Sequence, residues 1–314
     1  MRIVVVDHVN LEERHVRKLR SLGDVEIYGE PPKTEEELKA RIEEADIVIV
    51  GWSSLTRKVM DSAKRLKMVS IWATSCHYVD LEAARERGIV VTHVPGYATE
   101  AVAEYTFALL LAAVRKVTLA DRHVRNGNFD WRPFGGMELA GKTLGIIGTG
   151  AIGFRVAEIA RAFKMQLLGY DKFPNPKRAV EVGLRYVDLK TLLKESEVIT
   201  NHVTLTSETE KLIGKKEIAE MKDGAVIVNT SQGKVIDEKA LVQALKSGKI
   251  AYAGLDVLEE EPREGTIPCS NLTTQCFLLT SVSILPKLKR DVQTSVSITW
   301  HAFSKENVKT FARK

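Results

Sequence analysis

The chain has 314 residues, of which 44% are hydrophobic, 28% charged and 6% aromatic. This composition excludes collagen-like, coiled-coil and disordered chains, and the length suffices for two domains with sizeable cores. No apolar run reaches the roughly 18 to 20 residues that span a bilayer, and the N-terminus begins with a strand-like segment instead of a signal sequence. We therefore expect a cytoplasmic protein without a membrane partner. Cys76, Cys269 and Cys276 have unrelated spacings, which predict neither disulfides nor a metal site.

The formal net charge of +5 is confined to the end of the chain. Residues 269–314 contain seven Lys or Arg and two Asp or Glu, whereas acids and bases balance in residues 1–268. Because the main body is neutral, no nucleic-acid partner is predicted. All 21 glycines also precede residue 269, so the last segment differs in composition from the rest of the chain.

The first third of the chain alternates short β-branched runs with amphipathic helical patterns. Residues 3–6, 47–50, 68–71 and 89–91 are predicted to form buried parallel strands with helices between them. Apolar positions then recur at helical spacing across residues 99–125, which predicts one long helix that links two domains.

A second series of strands and helices begins at Lys142. Strands are predicted at 143–147, 166–170, near Val198, at 225–228 and at 253–256. This alternation predicts a doubly wound parallel sheet, so the whole chain is assigned to the α/β class with two Rossmann-like domains.

A dinucleotide-binding motif, Gly-Thr-Gly-Ala-Ile-Gly, follows the strand at 143–147 and opens a helix. Gly148 would allow the tight turn, Gly150 the close approach of backbone to a pyrophosphate, and Gly153 close packing of helix on strand. The next strand ends at Asp171, whose carboxylate can accept hydrogen bonds from ribose hydroxyls and repel a 2′-phosphate. NAD is therefore the predicted cofactor, although Lys172 weakens the preference over NADP. The alternative is a strand-to-helix turn without a ligand.

With these residues in place the chain resembles the D-isomer-specific 2-hydroxyacid dehydrogenases over residues 1–268. The resemblance rests on four segments: VPGYATEAVAE (94–104), ELAGKTLGIIG (138–148), VNTS (228–231) and GLDVLEEEP (254–262). It implies an NAD-binding domain at 99–284, inserted into a smaller flavodoxin-like substrate domain formed by 1–98 and the returning segment 285–314.

The resemblance also implies roles for individual residues. The family uses an arginine to hold the substrate carboxylate, a histidine as general acid and base, and a glutamate that orients the histidine. The glutamate corresponds to Glu261, and the aspartate that contacts the nicotinamide corresponds to Asp256. Other positions that line the cofactor are Thr74, Ala151, Ile152, Thr204, Thr230, Ser231 and Gln232.

Three positions depart from the family pattern. Gln232 occupies the place of the catalytic arginine and cannot offer a charged bidentate fork. The substrate loop, usually Thr-Gly-x-Asp, is Thr-Ser-Cys-His at 74–77, and the Thr-Pro-His segment with the catalytic histidine is replaced by LTSVS at 279–283. His301 is the only histidine after Glu261 and has no motif around it, while His77 and His202 are interpreted as structural or cofactor-lining.

The atypical C-terminus has a specific candidate cause. If one C is restored in the codons for Pro268 and Cys269, permitted codon choices turn the following residues into LFKLDNAVF and then LTHISFYTAEA. These strings resemble the family's C-terminal segment, with its histidine present. We interpret residues 269–314 as a translation shifted by a one-base deletion; the alternative is a diverged natural tail.

The predicted function is hydride transfer between a nicotinamide and C2 of a small 2-hydroxy or 2-oxo acid such as glyoxylate or hydroxypyruvate, impaired by the loss of the arginine and histidine. The alternative is a non-catalytic NAD-binding sensor or co-repressor-like protein. The resemblance further implies a homodimer, with the helix at 99–125 and Trp131 at the contact.

Overall fold

The computed structural model describes residues 1–260 and 276–278. The chain divides into two compact units, of which the first contains Met1–Ala98 and the second begins at Thr99. The segment 285–314, which the resemblance assigns to the substrate domain, lies outside the described residues.

The first unit contains a sheet of five parallel strands in the order β2-β1-β3-β4-β5. Its strands are β1 (Arg2–Val5), β2 (Asp24–Ile27), β3 (Ile47–Val50), β4 (Met68–Ile71) and β5 (Val90–Thr92), and its helices are α1 (Glu13–Arg20), α2 (Glu35–Ile42), α3 (Arg57–Ser62) and α4 (Leu81–Glu86). This is the strand order of flavodoxin-like sheets. The predicted strands lie within one residue of four of these, and the half-exposed edge strand β2 was missed because its pattern lacks a buried apolar run.

The second unit contains, among the described residues, seven parallel strands in the order β12-β11-β10-β9-β6-β7-β8. The strands are β6 (Thr143–Ile147), β7 (Gln166–Tyr170), β8 (Leu184–Tyr186), β9 (Val198–Asn201), β10 (Ala225–Asn229), β11 (Ile250–Leu255) and β12 (Cys276–Leu278). The helices are α5 (Thr99–Arg115), α6 (Val117–Arg125), α7 (Ala151–Ala162), α8 (Pro176–Val182), α9 (Leu189–Glu195), α10 (Lys215–Glu220) and α11 (Glu238–Ser247). The predicted α/β class with two parallel sheets is confirmed, and the two edge strands β8 and β12 were not predicted.

Alternation along the strands of the second sheet supplies two cores, one on each face. In β10, Val226 and Val228 pack in one core, while Ala225 and Ile227 pack in the other. Since side chains alternate across a strand, a run of buried apolar residues requires helices on both faces. This explains why these strands are continuous apolar runs.

The predicted single helix over residues 99–125 is wrong at one residue. Lys116 has φ 53° and ψ 34°, which ends α5 and separates it from α6. The carbonyl of Val114 accepts a hydrogen bond from Met137 N at 3.1 Å, and Lys116 Nζ donates to Pro133 O at 3.0 Å. The returning loop thus takes a carbonyl that a continuous helix would use, which helical periodicity alone does not reveal.

Candidate functional site

The candidate site lies along one edge of the second sheet, where the parallel strands end. Ile147 of β6 is in register with Asn201 of β9, Asn201 with Asn229 of β10, and Asn229 with Leu255 of β11. The chain runs outward from β6 through β7 to β8 and then returns to the other side of β6 as β9. Ligands of open α/β sheets bind at such a switch point, beyond the carboxyl ends of the strands.

The glycine loop is closely packed at two of its glycines and open at the third. Gly148 has φ +90°, and a Cβ there would lie 2.7 Å from the carbonyl carbon of His202. A Cβ at Gly153 would overlap the carbonyl oxygen of Gly148, whereas a Cβ at Gly150 would meet no described atom within 4 Å. The packing of the protein itself therefore requires glycine at positions 148 and 153. The space beside Gly150 is open to a ligand.

Helix α7 begins directly at this open side, with Gly150 as its N-cap and Ala151 and Ile152 as its first residues. The first intrahelical hydrogen bond is donated by Phe154 N to Gly150 O at 3.0 Å. The amides before it have no carbonyl one turn earlier to which they could donate. Together with the helix dipole they fit a phosphate group.

Asp171 follows β7 and is held by the glycine loop. Its Oδ2 accepts hydrogen bonds from Thr149 N at 2.6 Å and Thr149 Oγ1 at 3.1 Å, and its Oδ1 accepts one from Phe173 N at 2.8 Å. Tyr186 OH lies 2.7 Å from Thr149 Oγ1 and accepts from Asn175 N at 3.0 Å. A carboxylate has about four acceptor positions, so Oδ1 keeps capacity for a further donor such as a ribose hydroxyl.

A turn stiffened by two asparagines follows β10. Asn201 Nδ2 donates to Ser231 Oγ at 2.9 Å and to Asn229 Oδ1 at 3.3 Å, and Asn229 Nδ2 donates to Gln232 O at 3.0 Å. Ser231 N also donates to Asn229 Oδ1, at 3.1 Å. Sequence reasoning missed both asparagines, although a polar residue at the end of a buried strand was the available signal.

Thr230 is anchored by helix α5. Its Oγ1 lies 2.9 Å from Thr106 Oγ1, and Thr106 Oγ1 donates to Val102 O at 2.8 Å. Because the Thr106 hydroxyl has only one hydrogen, Thr230 is the donor between the two threonines. Both side chains are buried, so this pair fixes the turn that carries Ser231 and Gln232.

The loop after β11 packs against the same turn. Asp256 N donates to Asn229 O at 3.0 Å, and a Cβ at Gly233 would overlap the backbone of Leu258. Asp256 and the half-buried Gln232 thus follow neighbouring strands. Glu261, the predicted catalytic glutamate, lies outside the described residues, as do His301 and the segment 279–283.

His202 follows β9 and contacts the glycine loop through its backbone. Its Nε2 lies 3.1 Å from Thr200 Oγ1, and its buried Nδ1 has no hydrogen-bond partner among the described residues. Burial lowers the pKa of His202 from 6.5 to about 3. The imidazole is therefore neutral near pH 7, which suits a structural role and not proton transfer.

The remaining predicted site residues lie in the loop after β9 or in the first unit. Thr204 is exposed, and its carbonyl accepts from Thr209 Oγ1 at 2.7 Å. Thr74 belongs to the first unit, where its Oγ1 donates to Val94 O at 2.9 Å, and in the same loop Ser75 Oγ lies 2.7 Å from His77 Nδ1. Within residues 1–260, no cluster of His, Cys, Asp or Glu could hold a metal. None of the helices described is long and apolar enough to cross a bilayer.

Comparison with known families gives a match that covers more than half of the chain. The sequence profile of the D-isomer specific 2-hydroxyacid dehydrogenase, NAD binding domain, matches residues 107–281. The chain belongs to the D-isomer specific 2-hydroxyacid dehydrogenase family. It therefore carries an NAD-binding domain of this family, in which the strand-end site described above lies.

Relatives within the 2-hydroxyacid dehydrogenases have several names. The chain is 40% identical to the glyoxylate reductase of Thermococcus litoralis, over 80% of this chain and 79% of the relative. It is 40% identical to the D-3-phosphoglycerate dehydrogenase of Archaeoglobus fulgidus over 83% of this chain, but it spans only about half of that protein (49%). The structure of Aquifex aeolicus D-lactate dehydrogenase with NAD and lactic acid superposes with a TM-score of 0.86 and 31% identity, over 97% and 96% of the two chains.

Proposed function

We propose that this protein transfers hydride between a nicotinamide cofactor, NAD in preference to NADP, and C2 of a small 2-hydroxy or 2-oxo acid. The observation that carries the proposal is the shared strand edge. There an open glycine loop, a carboxylate after β7 and a polar turn after β10 stand on neighbouring strands of one sheet. In this proposal the second unit is the NAD-binding domain and the first unit, residues 1–98, belongs to the substrate domain.

Each part of the site has a task in this reaction. The N-terminus of α7 binds the pyrophosphate, and Asp171 Oδ1 accepts from a ribose hydroxyl. Thr230, Ser231, Gln232 and Asp256 line the region next to the reacting carbon. Bound nicotinamide supplies the carbon that gives or takes the hydride.

Gln232 sets the strength of substrate binding in this proposal. An arginine would make charge-assisted hydrogen bonds to a substrate carboxylate, each worth about 1.5 to 3 kcal/mol, whereas a glutamine amide makes neutral ones. We expect Gln232→Arg to bind the unreactive 2-oxo acid analogue oxamate at least tenfold more tightly in the presence of NADH. Gln243→Arg, which adds the same charge on the exposed face of α11, is the control. Equal affinity in the two variants would argue against this role.

The missing histidine is the second cause of impairment, and we propose the one-base deletion as its origin. Sequencing the gene around codon 268 in an independent isolate tests this directly, because an unchanged reading frame there would refute it. Titration with NADH should quench the protein fluorescence of both the chain as given and the frame-corrected chain. Only the corrected chain should oxidise NADH with glyoxylate or hydroxypyruvate.

A cofactor-sensing, non-catalytic protein is the second candidate. Gln232 and the absence of a Thr-Pro-His segment favour it, because both remove groups needed for chemistry and leave the glycine loop intact. Binding of NADH by both chains with turnover by neither would favour this candidate, and turnover by the corrected chain would exclude it.

We further propose that two copies of the chain associate through α6 and the loop after it. None of the residues of α6 is buried, and the aromatic side chains of Phe129 and Trp131 are 97% and 82% exposed. Such apolar exposure is typical of a protein contact surface. Sedimentation should detect a dimer that Trp131→Ala weakens and that Trp52→Ala, another exposed tryptophan, leaves unchanged. A monomer at all concentrations would refute this.

A further inference from the structure

An ion pair stands beside the carboxylate that would bind the ribose. Lys172 follows Asp171 directly, and its Nζ lies 2.9 Å and 2.6 Å from the two carboxylate oxygens of Glu208. Glu208 belongs to the loop between β9 and α10, 36 residues along the chain. The ammonium of Lys172 is therefore engaged by a residue from a different part of the sheet edge.

The loop that carries Glu208 is itself fixed. Thr209 Oγ1 donates to Thr204 O at 2.7 Å, and Thr206 N donates to Thr209 Oγ1 at 2.7 Å. Thr206 O also accepts from Glu210 N at 2.9 Å. These bonds hold the loop in a tight turn. The backbone that carries Glu208 is therefore fixed next to Lys172.

The charge of Lys172 matters because a 2′-phosphate is an anion, whereas a ribose 2′-hydroxyl is neutral. It would meet the Asp171 carboxylate, which repels it, and would require a nearby cation to offset that repulsion. Lys172 is adjacent in sequence to Asp171 and could supply this cation. While Glu208 holds it, that charge is compensated.

We propose that Glu208 is a specificity-determining residue for the cofactor: by pairing with Lys172 it withholds a cation from the 2′-phosphate of NADP and so reinforces Asp171 in selecting NAD. This rests on the proposed preference for NAD. In the sequence alone, Lys172 weakens the predicted preference for NAD. In this proposal Lys172 can bind a phosphate only when Glu208 does not pair with it.

The expected effect is modest because the pair is exposed. The side chains of Lys172 and Glu208 are 63% and 67% exposed, and exposed pairs change an equilibrium constant by a factor of about two to five. Glu208→Gln should therefore raise NADPH affinity relative to NADH affinity about two- to fivefold at low ionic strength. The gain should disappear in about 0.5 M salt, where charges on the surface are screened.

The test is fluorescence titration of the full chain with NADH and with NADPH, which reads binding without turnover. The variants are Glu208→Gln, Lys172→Gln and the double variant. The control is Glu210→Gln, which removes an equal charge from another exposed side chain, two residues after Glu208. Thermal melts verify that each variant is folded.

The proposal predicts a higher ratio of NADPH to NADH affinity in Glu208→Gln that is absent in the double variant and in Glu210→Gln. It is overturned if Glu210→Gln gives the same gain, if the gain persists without Lys172, or if Glu208→Gln gives none. Wild-type protein that binds neither nucleotide would refute the NAD-dependent function as well. Wild-type binding of NADH with no change in Glu208→Gln would refute this inference alone.

Discussion

Acidification from pH 7 to pH 5 should destabilise the protein through His202. The pKa of this histidine falls from 6.5 to about 3 because burial disfavours the charged imidazole. In the unfolded chain the imidazole is exposed and has its ordinary pKa. The unfolded state therefore binds more protons than the folded state between about pH 6.5 and pH 3, so stability rises with pH across this range and is lost as the pH falls below 6.5.

The magnitude follows from the fraction of protonated imidazole in each state. At pH 5 the unfolded chain is almost fully protonated at this site and the folded chain almost fully neutral, which lowers the free energy of unfolding by about 2 kcal/mol. At pH 7 the same difference is only about 0.2 kcal/mol.

Urea unfolding at pH 7 and pH 5 measures this loss. The wild type should lose about 2 kcal/mol more than His202→Gln between the two pH values, because the variant has no titrating group at this site. His8→Gln, which replaces an exposed histidine, should retain the wild-type pH dependence. An identical pH dependence in the wild type and His202→Gln would refute the reasoning.

Three further outcomes are expected. Gly153→Ala should weaken NADH binding at least tenfold and lower Tm, because its Cβ would overlap the preceding turn of the glycine loop; titration and a thermal melt measure both effects, and wild-type values would contradict the close packing. Thr106→Val should cost about 1 to 3 kcal/mol of unfolding free energy in urea, since it leaves the buried donor of Thr230 without an acceptor. Thr230→Val should cost less, and the reverse order would contradict the assigned direction of that hydrogen bond. Lys164→Gly should stabilise the protein by about 1 kcal/mol, because Lys164 has φ 57° after α7; a lower urea midpoint would contradict this.

Local patterns in the sequence were enough to predict the framework of the site. The strand at 143–147, the three glycines and Asp171 are defined by side-chain periodicity and spacing within about 30 residues. The positions of the strand ends follow from the same patterns, because buried β-branched runs stop where polar residues begin. The α/β class and the NAD-binding domain follow from these features.

What the tertiary structure alone decided depends on residues far apart in the chain. The break at Lys116 arises because the loop near Met137 takes the carbonyl of Val114, and Lys172 is compensated because β9 returns beside β6 and brings Glu208 to it. A short stretch of sequence around Lys116 or Lys172 does not contain Met137 or Glu208. Contacts between residues so far apart depend on how the chain returns and on the order of the strands in the sheet. Composition and periodicity determine which segments become strands and helices, and the packing of those segments determines which charges and carbonyls meet.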